Sequence, residues 1–259
     1  MAASLPFTSA VVTGASSGIG EEMTRQLVTA GASVVVVARR ADRLEALAAE
    51  LGGVEVLAAD LGTRDGQDAV AARIADGERP VDLVVNNAGF GTSGAFHELD
   101  ADRLADEVEL NVAALTRLSH AALAVMVPRR RGWLLNVASV AGFQPAPRLA
   151  VYAATKAYVV SLSESLHQEA STAGVKVSAL CPGLTKTEFQ AVSNTGHYQS
   201  SFPEFAWTTV EDVVTAGLEG AAKGRAIIVP GVFYKTMAAA GSVTPRWLKR
   251  ALSGAVQRQ

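Results

Sequence analysis

A phenol and an ammonium stand four residues apart in Tyr152-Ala153-Ala154-Thr155-Lys156. They fall near the start of a stretch whose pattern predicts a helix, so they share one face. Ser139 ends a predicted strand just upstream, and Asn111 lies in a long predicted helix before that strand. A free tyrosine has a pKa of about 10, too high to exchange protons readily near neutrality. A nearby ammonium favours the phenolate and lowers that value toward the working range. With the Ser139 hydroxyl stabilising charge that develops on a carbonyl oxygen, the set fits general acid–base work on a carbonyl or an alcohol. Asn111 is placed to hold a water linking Lys156 to bulk solvent. Each residue has a plain alternative: Ser139 caps a helix, Tyr152 fills a core, Asn111 satisfies a backbone bend, and Tyr-x3-Lys by itself is commonly surface.

A second group of residues could hold a nucleotide. The first apolar run enters Thr13-Gly14-Ala15-Ser16-Ser17-Gly18-Ile19-Gly20, and a helix follows. Gly14 lets the chain turn off the strand, Gly18 lets backbone amides approach a pyrophosphate, and Gly20 lets the helix pack tightly on the sheet. The helix N-terminus offers N–H groups and partial positive charge, so Gly14, Ser16, Ser17, Gly18, Ile19 and Gly20 form the expected phosphate cradle. The spacing is Gly-x3-Gly-x-Gly, not the commoner Gly-x-Gly-x-x-Gly; alone it is equally a tight turn.

The second apolar run ends Val37-Ala38-Arg39-Arg40. An NAD site wants a carboxylate here for the ribose hydroxyls, whereas a guanidinium holds a 2′-phosphate bidentately. This reads as NADP(H), with Arg39 favoured over Arg40; the alternative is that both are solvated surface charges. The third run ends Ala59-Asp60-Leu61, where the Asp60 carboxylate can accept from an adenine amino group. The fourth ends Asn86-Asn87-Ala88-Gly89, a turn of small residues beside the cofactor. Asn86 is expected only to tie neighbouring strands together.

These residues need elements to position them. Apolar, β-branched runs at 10–13, 33–38, 54–59, 81–86, 133–138, 175–180 and 226–230 lack polar alternation and read as strands buried on both faces. Helical periodicity marks 43–51, 101–127, 151–173 and 209–222, with Gly52, Pro128 and Gly174 as stops. The alternation predicts one α/β domain with a doubly wound parallel sheet, helices on both faces, and ligands at the carboxyl ends of the strands. The irregular segment 188–206, holding Phe189, His197, Tyr198, Phe202, Pro203 and Phe205, is a candidate substrate lid. Residues 231–259 form a C-terminal extension past a core at 8–230.

In order and spacing, these motifs resemble the short-chain dehydrogenase/reductase family, from about Thr8 to about Pro230. The resemblance implies a seven-stranded Rossmann sheet and interconversion of carbonyls and alcohols with NAD(P). It matches the family's four active-site positions to Asn111, Ser139, Tyr152 and Lys156. Tyr152 and Lys156 also contact the cofactor, with Lys156 on the nicotinamide ribose. The family's Pro-Gly motif matches Pro182-Gly183-Leu184-Thr185-Lys186-Thr187, with Thr187 and the Thr185 backbone on the carboxamide; position 185 is usually Val or Ile. The Ala38-Arg39 pair looks like the NADP-preferring branch.

Composition narrows the partners. Lys and Arg number 23 against 25 Asp and Glu, a net charge of −2, so no global field favours nucleic acid. The single cysteine, Cys181, forbids an intramolecular disulfide and reads as a buried small hydrophobe. His97, His120, His167 and His197 match no metal spacing. The first positive side chain is Arg25, which gives no secretory n-region, and no apolar run approaches a membrane span. A soluble cytoplasmic protein is expected, as a homodimer or homotetramer. Arg129-Arg130-Arg131 reads as a solvated turn away from the chemistry.

No acidic side chain follows Glu219, while Lys223, Arg225, Lys235, Arg246, Lys249, Arg250 and Arg258 are positive. With Phe233, Tyr234, Met237, Trp247 and Leu248, the extension reads as a helix packed on its own domain or a subunit interface. Peripheral contact with an anionic membrane is the alternative. Phe90, Gly91, Ala141, Gly142, Phe143, Gln144, Pro145 and the 189–205 segment are largely apolar and reserve no arginine for a carboxylate, Arg148 being the one exception. A lipophilic ketone or 3-oxoacyl substrate is expected. Rival readings are an isomerase or dehydratase on the same fold and a non-catalytic NADPH-binding regulator.

Overall fold

The computed structural model describes residues 5–195 and 203–243. His197, Tyr198 and Phe202 of the expected lid, and Arg246, Trp247, Leu248, Lys249, Arg250 and Arg258 of the extension, lie outside the described residues.

The strands form where the apolar runs predict them: β1 Ser9–Thr13, β2 Ser33–Ala38, β3 Val54–Ala58, β4 Leu83–Asn86, β5 Gly132–Val137 and β6 Val175–Leu180. Two short strands, β7 Leu184–Thr185 and β8 Trp207–Thr208, pair with each other in parallel. The last strand of the main sheet is β9 Ile227–Ile228. All seven strands of that sheet are parallel, in the order β3-β2-β1-β4-β5-β6-β9.

Burial on both faces explains why the valine runs carry no polar alternation. Val34 and Val36 of β2 enter one core with Met23, Leu27, Leu44 and Val213. Val35 and Val37 enter the other with Val70, Ile74, Leu118 and Met126. The first layer is made by α1 Gly18–Thr29, α2 Ala41–Leu51 and α8 Val210–Lys223. The second is made by α3 Arg64–Ile74, α5 Leu115–Arg129 and α6 Ala150–Ser171. The periodicity did not mark α3, whose start is set by the Thr63 hydroxyl accepting from the Gly66 amide at 3.2 Å.

The long helix expected over 101–127 is three pieces: α4 Ala101–Val108, a π-helical segment Glu109–Ala114, and α5. It does not stop at Pro128. Pro128 lies inside α5, and Arg130 closes the helix in the left-handed region at φ 52°. The 29 residues of 101–129 together have the length and hydropathy of a membrane span, which the run-by-run reading did not register. Leu118, Ala122 and Met126 bury one side of this helix in the sheet-facing core.

The three arginines at its end are held by side-chain contacts. Arg129 and Arg130 donate to the Val81 and Thr172 carbonyls, and Arg131 pairs with Asp82 at 3.4 Å.

The first turns of the extension pack on the domain. Helix α9 Val232–Val243 sends Tyr234 inward, where its hydroxyl donates to the Ala206 carbonyl at 2.7 Å and accepts from the Leu184 amide at 3.0 Å. A Cβ on Gly183 would lie 2.0 Å from the Tyr234 ring.

Candidate active site

The sheet order reverses between β1 and β4, and the turns after these two strands flank the crevice where a doubly wound fold binds nucleotides. Gly14 takes φ +66° in the first turn, and a Cβ there would meet Asn87 Nδ2 at 2.8 Å. A Cβ on Gly20 would stand 2.4 Å from the Gly14 carbonyl oxygen, so only glycine lets α1 approach this closely. Asn87 Nδ2 donates to the Thr13 carbonyl at 2.9 Å, and the Thr13 hydroxyl accepts from the Asn87 and Ala88 amides. Asn87 and Ala88 thus brace the glycine turn. Asn86 ties strands and helices, donating to Asn136 Oδ1 at 2.9 Å and to the Ser119 hydroxyl at 3.1 Å.

Ser17 is the N-cap of α1, yet its side chain caps no helix amide. Its hydroxyl accepts from Arg40 at 3.0 Å, and the Ser16 hydroxyl accepts from the same guanidinium at 2.9 and 3.1 Å. The first-turn amides of α1 therefore lack a side-chain acceptor and suit a phosphate. The third side of Arg40 donates to Glu188 at 2.9 Å, and Arg43 donates to the other Glu188 oxygen at 2.6 Å. Together they hold the Glu188 carboxyl down at about 2.

This sets apart the two arginines that follow β2, of which Arg39 is the one favoured for the 2′-phosphate. Arg40 is spent on the turn and on Glu188, whereas the Arg39 side chain is 74% exposed and only approaches Asp60, at 4.0 Å. Asp60 also accepts from the Gly62 amide at 2.9 Å, and Leu61 is buried beside it in the second core.

The reacting groups converge at the carboxyl ends of β4, β5 and β6. Lys156 Nζ donates to the Val137 carbonyl at 2.8 Å and stands 5.7 Å from the centre of the Tyr152 ring. Asn111 Oδ1 and Lys156 Nζ both face Gly89, 2.7 and 3.6 Å from where its Cβ would be. A Cβ on Gly91 would lie 3.0 Å from Tyr152, and the Phe189 ring packs at a tilt against the Tyr152 ring, with centres 5.3 Å apart. Burial pushes the Tyr152 phenol up to about 12, and the Ser139 hydroxyl draws it back. Burial pulls Lys156 down to about 8. Cys181 is fully buried and its thiol is pushed up to about 12, the state of an inert hydrophobe.

The Asn111 side chain is hydrogen-bonded within the fold. Its Nδ2 donates to the Phe90 carbonyl at 2.7 Å and to the Thr155 hydroxyl at 3.2 Å, and its Oδ1 accepts from the Phe90 amide at 3.1 Å. It fastens the loop after β4 to α6.

Several site residues lay beyond sequence reasoning. Gln190, in the short helix α7 Phe189–Val192, donates to the Thr185 carbonyl at 2.6 Å and accepts from the Thr187 amide at 2.9 Å. It thereby shapes the Pro182–Thr187 turn, and Thr187 lies against Gly18, 3.2 Å from where a Cβ would be. Arg103 lies over the Phe90 ring at 5.0 Å and donates to the Val192 carbonyl. It is an arginine beside the pocket that the reading limited to Arg148 did not include. Of the expected lining, Gly142 packs on the Lys156 main chain, while Gln144 and Pro145 are exposed. No local motif marks Arg103, whose partners Phe90 and Val192 are distant in the chain, and Gln190 meets its near neighbours only through the irregular turn that the fold imposes.

A sequence model described as short chain dehydrogenase matches residues 8–197. The serine 3-dehydrogenase of Agrobacterium fabrum is 36% identical over 194 residues, 74% of this chain and 77% of that one. A short-chain dehydrogenase from Sphingobium yanoikuyae, solved in complex with NADPH, is 34% identical with a TM-score of 0.82, covering 90% of this chain and 92% of that chain. The bulky-bulky ketone specific alcohol dehydrogenase from Comamonas testosteroni is 30% identical with a TM-score of 0.77, over 94% and 96%. The sheet order, the glycine turn and the Ser139–Tyr152–Lys156 cluster agree with these likenesses: the chain belongs to the short-chain dehydrogenase family of NAD(P)-using oxidoreductases.

Proposed function

We propose that the protein is an NADP(H)-dependent oxidoreductase that interconverts a carbonyl and a secondary alcohol, acting on a lipophilic ketone or a 3-oxoacyl compound. The observation that carries this reading is the convergence of the Ser139 hydroxyl, the Tyr152 phenol and the buried Lys156 ammonium at the strand ends beside the glycine turn. The nicotinamide cofactor supplies or accepts the hydride.

The residues fit that cofactor. The uncapped start of α1 takes the pyrophosphate, and Arg39 takes the 2′-phosphate. Asp60 takes the adenine end, and the Thr185–Thr187 turn held by Gln190 takes the carboxamide. Arg40 contributes by fixing Ser16 and Ser17. The NADPH complex of the Sphingobium relative supports the choice of NADP(H).

Ser139 holds the substrate oxygen and stabilises the negative charge that grows there. Tyr152 gives its proton to that oxygen in reduction and recovers it in oxidation. The Lys156 charge favours the phenolate, and the Ser139 hydroxyl works with it against the burial that opposes that form. Phe90, Gly91 and Phe189 border the Tyr152 side of the pocket with apolar surface, and the ketone preference in the Comamonas relative's description supports a lipophilic ketone. Homo-oligomerisation is part of the proposal; light scattering of the purified chain tests it.

The functional test follows NADPH consumption against aldehydes, aliphatic ketones, steroids and 3-oxoacyl thioesters, with Tyr152→Phe as control. Turnover on an apolar ketone or thioester that falls about 100- to 10,000-fold in the variant, with NADPH binding retained, supports the reading. Equal turnover in the variant overturns it.

A further inference from the structure

Among the described residues, one acidic and one basic side chain are buried, Glu107 at 0% exposure and Lys156 at 5%; every other Asp, Glu, Lys and Arg reaches solvent. Both belong to the same site. Glu107 lies one helical turn before Asn111, so the two share a face. Asn111 Oδ1 and Lys156 Nζ converge on Gly89. The loop after β4 meets this helix face at both positions: Asn111 binds Phe90, and Glu107 faces Thr92 two residues on.

The Glu107 carboxylate oxygens and the Thr92 hydroxyl are buried without hydrogen-bond partners of good geometry. An uncompensated carboxylate in such a place costs several kcal/mol, and a Leu or Met would fill the same space without that cost. We propose that Glu107 is the buried counter-charge of Lys156, a positioning residue that keeps Nζ an ammonium within the reacting site.

The charges around the pair favour this assignment. Glu107 is faced by Arg103 on its own helix, by Lys156 from α6, and by the Thr92 hydroxyl and amide from the loop. Lys156 is faced by two acidic groups, Glu107 and the Cys181 thiol. The thiol is held neutral by burial, so the carboxylate alone can oppose the desolvation of Lys156. Tyr152 is faced by Glu107 and Cys181 as well. The negative charge that holds the ammonium therefore also opposes the phenolate, and the net effect on Tyr152 depends on both. The catalytic use of this pair rests on the carbonyl–alcohol reading above; the pairing itself does not.

The test uses the full chain without cofactor, with 13C-labelled lysine and the Lys156 signal assigned by its loss in Lys156→Met. Lys156 is titrated by NMR in the parent, in Glu107→Gln and in Glu107→Asp, with circular dichroism as the check of fold. The expected result is a Lys156 midpoint lower by about one unit or more in Glu107→Gln and near the parent value in Glu107→Asp. An unchanged midpoint in folded Glu107→Gln overturns the proposal.

A second measurement covers failure of that variant to fold. The side-chain carboxyl of Glu107, labelled in the parent protein, is expected to be ionised by pH 8. A carboxyl still protonated at pH 9 also overturns the pairing. Neither readout needs a substrate, so loss of the oxidoreductase reading would leave this result standing and remove only its catalytic use.

Discussion

At the scale of single residues, charge and burial divide side chains that look alike in sequence. Arg39 and Arg40 are neighbours, yet one is open to solvent and the other is enclosed by Ser16, Ser17 and Glu188. Arg39→Ser is expected to weaken NADPH binding about tenfold to hundredfold, the worth of a charge-assisted contact, and to leave NADH nearly unaffected. Arg40→Ala is expected to weaken both, because it frees the turn that carries the shared pyrophosphate. Fluorescence titration with each dinucleotide separates these outcomes, and equal loss of both in Arg39→Ser would remove Arg39 from the 2′-phosphate site.

At the scale of elements, the site is set by how closely α1 approaches the β4 turn and by what fastens α7 across the crevice. Gly20→Ala would place a methyl 2.4 Å from the Gly14 carbonyl and 2.5 Å from Asn87 Nδ2. Overpacking of this kind costs about 1–3 kcal/mol, so the variant is expected to melt lower and to lose dinucleotide affinity; a calorimetric scan with and without NADPH measures both. Glu188 is the fastener, joining α7 to the start of α2, where Arg40 and Arg43 put positive charge against the helix dipole. Its folded pKa of about 2 lies below the ordinary value of about 4.3. Its contribution is therefore whole above the ordinary value and fades as pH falls toward 2. Glu188→Gln is expected to melt below the parent at pH 7 by less than about 1 kcal/mol, since the partners are exposed. That gap should close between pH 4.5 and 2, and a gap independent of pH would deny the ion pair a part in stability.

At the scale of the whole molecule, a polar ladder crosses the core where the sheet meets the helices. Asn86 of β4 donates to Asn136 of β5, Asn136 donates to Ser163 of α6, and Ser119 of α5 accepts from Asn86. Asn136→Ala takes one hydrogen bond each from Asn86 and Ser163, which keep Ser119 and the Val159 carbonyl as partners, and leaves a small void. A loss of about 3 kcal/mol is expected, measured by urea unfolding with unchanged slope. A loss under about 1 kcal/mol would mean the ladder does not bind the layers together.

The sequence by itself determined the architecture and most of the reacting set. Unbroken valine runs require a sheet covered on both faces, the glycine turn requires a strand running into a helix, and the Tyr152–Lys156 spacing requires a shared helix face. These follow from neighbours in the chain, whose geometry is set by backbone periodicity and turn chemistry. Only the tertiary structure decided that Arg40 is a brace, that the Asn111 side chain fastens a loop to α6, that Gln190 shapes the Thr185–Thr187 turn, and that Tyr234 docks the extension on Gly183. It alone brought Glu188 to Arg40, 148 residues away, and buried Glu107 and Lys156. Attraction between opposite charges carries no record of which pair will meet, so any of 25 acidic residues could have faced any of 23 basic ones until the packing of helices on the sheet selected them.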